Sequence, residues 1–144
     1  MNIKVKTKSP KETQRLGEKL AKNLKGGEVI ALYGDLGAGK TVFVQGLAKG
    51  LGIKRGIVSP TFVFMRTYPI RLNRKSMTFY HLDLYRGENN QDFEALGLEE
   101  IFAPDSVVVL EWADKIEKEL PKNHIKVYLE RQDERTRRIT IKGN

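Results

Sequence analysis

Apolar residues fall into two kinds of run along this chain. Residues 28–33 (Glu-Val-Ile-Ala-Leu-Tyr) and 106–110 (Ser-Val-Val-Val-Leu) are nearly unbroken apolar stretches. Strands with both sheet faces covered have that composition. Elsewhere the pattern is periodic. Leu16, Leu20 and Leu24 recur every four residues, and Val42, Phe43, Leu47 and Leu51 keep helical spacing. The first helix opens with Ser9 as cap, Pro10 at the first helical position and Glu12 in a capping box. Gly26-Gly27 is expected to stop it. The second helix is expected over residues 40–51.

The other elements are shorter. Residues 3–6 alternate as a strand. Residues 61–69 and 77–84 read as extended segments joined by a turn at 71–75. Residues 92–101 predict a helix with Phe93, Leu96 and Ile101 inward, and 114–120 a short helix closed by Pro121. Residues 124–129 and 137–141 predict a terminal antiparallel hairpin around the polar turn 131–136. Strands alternating with helices around buried central strands define an α/β class. The expected architecture is a three-layer sandwich with a central parallel sheet and flanking antiparallel strands, in one domain over residues 1–144.

Between the first buried strand and the second helix lies Gly34-Asp35-Leu36-Gly37-Ala38-Gly39-Lys40-Thr41, a full match to G-x-x-x-x-G-K-[ST]. Glycines let backbone amides approach a ligand closely. Consecutive N–H groups then converge on phosphate oxygens, and the following helix adds the positive end of its dipole. The Lys40 ammonium reaches the β- and γ-phosphates and the Thr41 hydroxyl suits Mg²⁺. Such a P-loop needs an acidic partner at the carboxyl end of a central strand. Asp83 and Glu111 each follow an apolar run and qualify. Mg²⁺ prefers few carboxylates, so one acid can hold the metal's water while the other orients the attacking water.

Three further positions stand out. Ser59-Pro60-Thr61 lies where a γ-phosphate sensor sits, although a turn with a hydroxyl hydrogen bond would use the same residues. Trp112 follows Glu111 and either lines the nucleotide site or fills the core. His81 points to the opposite strand face from Leu82 and reads as a satisfied histidine more readily than as a base. Arg66, Arg71, Arg74 and Arg86 are arginine-finger or nucleic-acid candidates on an otherwise solvated surface.

Composition narrows the chemistry. The chain has 144 residues, 40% hydrophobic and 31% charged, an ordinary globular mixture. It has no cysteine and two histidines, which excludes thiolate sites and disfavours a histidine-based metal site. No apolar run approaches the roughly 20 residues that span a bilayer, and the first residues lack the apolar core of a signal peptide. A cytoplasmic setting is the simplest. The net charge of +8 is uneven: residues 1–60 carry +8, 61–86 carry +4, 87–120 carry −8 and 121–144 carry +4. That asymmetry suits a chain with a basic face for an anion and an acidic face for a partner. Without an arginine-rich lid insertion the chain is a poor small-molecule kinase, and no RRM or KH signature marks an RNA-binding module.

The order GDLGAGKT (34–41), SPTF (59–62), HLDLYR (81–86) and EW (111–112) resembles the bacterial TsaE family, small P-loop ATPases of tRNA threonylcarbamoyladenosine synthesis. The likeness runs from about residue 12 to residue 141. It implies ATP and ADP binding with Mg²⁺, and hydrolysis promoted by the partners TsaB and TsaD, which resets their complex between turnovers. tRNA would be met through that complex, and no membrane would be involved. By resemblance, Gly34, Asp35, Leu36, Gly37, Ala38, Gly39, Lys40 and Thr41 bind the phosphates, with Trp112 beside them. Thr41, Glu111 and Asp83 serve the metal. Lys40, Asp83, Glu111 and Thr61 serve hydrolysis, and Thr13 approaches the adenine. Val42 departs from the family pattern, where a second Thr or Ser often follows the GKT.

Overall fold

The computed structural model describes residues 2–35, 37–54, 65–84 and 96–143. Seven strands form one mixed sheet: β1 (Asn2–Thr7), β2 (Val29–Tyr33), β3 (Met65–Leu72), β4 (Lys75–Asp83), β5 (Ser106–Glu111), β6 (Ile125–Arg131) and β7 (Arg137–Lys142). Their spatial order is β1-β7-β6-β2-β5-β4-β3. The pairs β2–β5, β2–β6 and β4–β5 are parallel, while β1–β7, β6–β7 and β3–β4 are antiparallel. The expected parallel centre with antiparallel flanks is therefore present. The two apolar runs of the sequence, β2 and β5, lie side by side at its middle, where both faces are covered.

Two helices, α1 (Pro10–Ala21) and α2 (Lys40–Gly50), cover one face. The other face is covered by a short helix, α3 (Leu98–Ile101), and a 3₁₀ segment, Ala113–Glu119. Ser9 caps α1 as expected, accepting from the Glu12 amide at 3.2 Å. The Glu12 carboxylate returns to the Lys8 amide at 3.3 Å rather than to Ser9. Asn73 and Arg74 both adopt positive φ, the signature of a two-residue type I′ turn between β3 and β4.

Two readings of the pattern need correction. Helix α1 ends at Ala21, short of Gly26-Gly27, and its buried stripe is Thr13, Gly17, Leu20 and Ala21 rather than the leucine row alone. The cause is a close crossing with α2, where Gly17 and Gly46 let the two backbones meet. The helix expected over 92–101 is not continuous: Gly97, in the left-handed region at φ 67°, precedes α3, and residues 92–95 lie outside the described residues. A side chain at Gly46 would run into the Gln14 backbone, which cannot move aside as a flexible side chain would. Gly46→Ala should therefore cost about 1–3 kcal/mol, an overpacking penalty. A thermal melt should show this as a Tm lowered by roughly 3–12 °C.

Candidate functional site

The parallel strands all point their carboxyl ends to one edge of the sheet, and the Gly-rich loop leaves β2 there. Gly34 follows Tyr33 directly. A side chain at Gly34 would meet the Leu129 carbonyl at 2.6 Å, so only glycine lets the loop pass so close to β6. Gly39 caps α2 with φ 99°, a left-handed turn that aims the first amides of the helix into the loop's concavity. Ala38 N donates to Asp35 O at 3.1 Å and Phe43 N to Gly39 O at 3.0 Å. Leu36 lies outside the described residues.

Lys40 opens α2 and is 6% exposed. Its Nζ donates to the Gly34 carbonyl at 2.6 Å and stands 3.8 Å from the centre of the Trp112 ring. Burial lowers its pKa below the usual lysine value, while Glu111, Asp83, Asp114 and Asp35 pull the other way. Trp112 thus does both things the sequence left open: its ring walls the lysine's site and packs against the hydrophobic cluster under the 3₁₀ segment. Its backbone is left-handed at φ 59°, an uncommon conformation for a bulky side chain that concentrates at functional sites.

The two candidate acids converge as the sequence predicted. Asp83 and Glu111 are register partners at the ends of β4 and β5. Along these strands Phe79 and Val109 face α1 and α2. Strand alternation puts His81, Asp83 and Glu111 on that same side, the side of Lys40 and Thr41. Glu111 is no surface acid but only 4% exposed. His81 is wholly buried, and its Nε2–H donates to Glu111 Oε2 at 2.5 Å. Among the described residues the buried His81 Nδ1 has no hydrogen-bond partner. Among the described residues no three His, Asp or Glu side chains cluster as a metal cage. The donor set present (a helix-start hydroxyl, two carboxylates and room for phosphate oxygens) is the kind Mg²⁺ takes, because that ion keeps several waters and uses few protein ligands.

Thr13 lies under the loop, lining a small indentation with Pro10, Gly39, Val42, Arg135 and Arg137. Its hydroxyl is shared with Thr7 at 2.7 Å. Arg137 is a site residue that sequence reasoning missed. From β7 it donates to the Gly37 carbonyl at 3.0 Å and to the Asp133 carbonyl at 2.8 Å. Only its place in an arginine-rich stretch hinted at this, because the contact spans a hundred residues. Arg71, near the end of β3, and Arg74, in the β3–β4 turn, lie at the opposite end of β4 from Asp83 and take no part in the site. Thr61, the Ser59-Pro60 turn and Arg86 lie outside the described residues.

The family model described as "Threonylcarbamoyl adenosine biosynthesis protein TsaE" matches residues 7–139, and the chain belongs to the TsaE family. It is 41% identical to the tRNA threonylcarbamoyladenosine biosynthesis protein TsaE of Bacillus subtilis, over 99% of this chain and 87% of that one. It is 38% identical to the TsaE of Treponema pallidum, over 94% and 96% respectively. The crystal structure of Bacillus subtilis YdiB superposes with a TM-score of 0.80 at 36% identity, covering 99% of this chain and 86% of that one. The role of the chain therefore lies in tRNA threonylcarbamoyladenosine biosynthesis. Among the described residues no helix is long and apolar enough to cross a membrane.

Proposed function

We infer that this chain is a Mg²⁺-dependent ATPase that works with TsaB and TsaD, its hydrolysis resetting their complex between rounds of tRNA modification. The observation that carries the reading is a buried lysine at the start of α2, under a Gly-rich turn, facing two carboxylates from adjacent strands. A desolvated cation beside converging amides favours a polyphosphate over a neutral ligand. Lys40 holds the β- and γ-phosphate oxygens, and the amides of residues 37–41 hold the rest of the chain of phosphates. Thr41 and Glu111 hold Mg²⁺, with His81 fixing one oxygen of Glu111. Mg²⁺, when bound, neutralises charge that builds on the phosphates. Asp83 orients the attacking water, and the Thr13–Arg137 indentation flanks the adenine.

The test is phosphate release from Mg-ATP by the chain alone and with purified TsaB and TsaD. Slow release alone, raised tenfold or more by the partners, is expected. No release in any combination would overturn the reading, and ADP formed together with a phosphorylated metabolite would make the chain a kinase.

A further inference from the structure

One half of the sheet carries a charged face. Strands β2, β5 and β4 are covered on the side of α3 and the 3₁₀ segment, but no residue of β6, β7 or β1 belongs to that cluster. Register shows what these three strands present there. Lys126 pairs with Lys142, which pairs with Asn2; Tyr33 with Tyr128, then Thr140, then Lys4; Glu130 with Arg138, then Lys6. Register partners share a face, and the intervening Val127, Leu129, Ile139 and Ile141 point the other way, into the core under α1 and α2. The three strands therefore place five cations on this face, Lys4, Lys6, Lys126, Arg138 and Lys142, against their one acid Glu130, while at the β2 edge the Tyr33 hydroxyl donates to Glu117 of the 3₁₀ segment at 3.4 Å. Among the described residues no ion pair ties these cations to a carboxylate. In the middle row the rings of Tyr33 and Tyr128 stack at 5.1 Å, with the Lys142 ammonium 5.7 Å from the Tyr128 ring.

We propose that this open sheet face binds single-stranded RNA, its phosphates on the two basic rows and a base against the tyrosine pair between them. Adjacent rows lie roughly 7 Å apart and the two basic rows roughly 14 Å apart, so they can engage phosphates on either side of a base held in the tyrosine row. Aromatic rings on an open sheet, flanked by lysine and arginine, are the physical basis of sequence-tolerant single-strand binding. An acidic protein is the competing occupant, and the face fits it less well. Protein interfaces favour tyrosine and arginine but are depleted in lysine, and four of the five cations here are lysines. The large hydrophobic residue exposed among those described is Ile3, which alternates with Lys4 and so lies on the other side of β1. At its β2 end the face adjoins a cleft of ≈ 310 Å³ lined by Tyr33, Gly34, Asp35, Tyr128 and Arg131, so it borders the Gly-rich loop.

The experiment is fluorescence anisotropy with a labelled 12-residue oligouridylate over a range of salt concentrations. The wild-type chain should bind more tightly as salt falls, with log affinity declining by about 0.7 per phosphate contacted for each unit of log salt. The double variant Lys126→Glu/Arg138→Glu should weaken binding at least tenfold and flatten that slope. Tyr128→Ser should weaken binding fivefold or more with the slope kept. Circular dichroism confirms that each variant is folded, and phosphate release from ATP by the double variant should match wild type. Lys40→Met should leave RNA binding intact, so this proposal and the ATPase reading can fail separately. No binding at low salt, equal binding by the charge-reversed variant, or displacement by polyglutamate with no effect of Tyr128→Ser would overturn the proposal.

Discussion

Lys40→Met is expected to abolish measurable ATP turnover, with a loss of at least about 100-fold in kcat/KM, the scale of removing one preorganised charge-stabilising donor. Methionine keeps the unbranched stem against Trp112 and removes only the ammonium. Stability should move little, or upward. The charge is held in a buried place that lowers its pKa, so the folded state loses a desolvated cation along with its bond to the Gly34 carbonyl. Isothermal titration with ADP and a thermal melt separate the two effects: affinity falls and Tm holds. The same group sets an alkaline limit. Phosphate binding needs Lys40 protonated, so affinity should decline as pH rises through its lowered pKa, earlier than for an ordinary lysine. Between that value and the unfolded one the unfolded chain binds more protons, so this group's share of folding stability rises with pH over the same window. Affinity and stability should thus move in opposite directions. Normal ATP turnover by Lys40→Met would remove the basis for the ATPase reading.

His81→Leu should behave as a damaged metal site rather than as a damaged nucleotide site. Glu111 is buried, and His81 is the donor that holds its Oε2. Taking that donor away leaves a buried carboxylate oxygen without its partner, at about 1–3 kcal/mol. Loss of a hydrogen bond that orients a metal ligand typically weakens metal binding about 10–100-fold. The expected result is a Mg²⁺ half-saturation raised by that factor in the hydrolysis assay, with ADP affinity in EDTA changed less than about threefold. Glu111→Ala should lose more turnover than His81→Leu, and His81→Gln, which keeps an N–H donor, should recover part of it. A His81→Leu protein whose only change is a lower Tm would reduce the histidine to a packing residue.

The geometry of the Gly-rich loop was legible because it is local. The Gly-rich loop, its strand and its helix are contiguous, and period-two alternation in His81-Leu82-Asp83 already puts the histidine and the aspartate on one face. The β2 and β5 strands announced themselves by apolar runs that only a covered strand can carry. What escaped was set by distance or by close approach. Arg137 reaches Gly37 across a hundred residues, and no local pattern encodes that meeting. Helix α1 uses Gly17, not a leucine, at its tightest crossing, because backbone contact favours the smallest residue over the most apolar one. The basic sheet face is likewise invisible to a residue-by-residue reading: its five cations come from three strands and meet only through register.

The Arg137 contact also bears on the order of synthesis. Every atom of the 34–41 turn has left the ribosome long before the strand that braces it exists. A nascent chain can display the glycine signature in full while the carbonyl of Gly37 still lacks its guanidinium brace, so nucleotide capture should arrive late, with the docking of the final hairpin. Translation arrested at successive lengths would show competence for ADP appearing as a step once residue 137 is exposed.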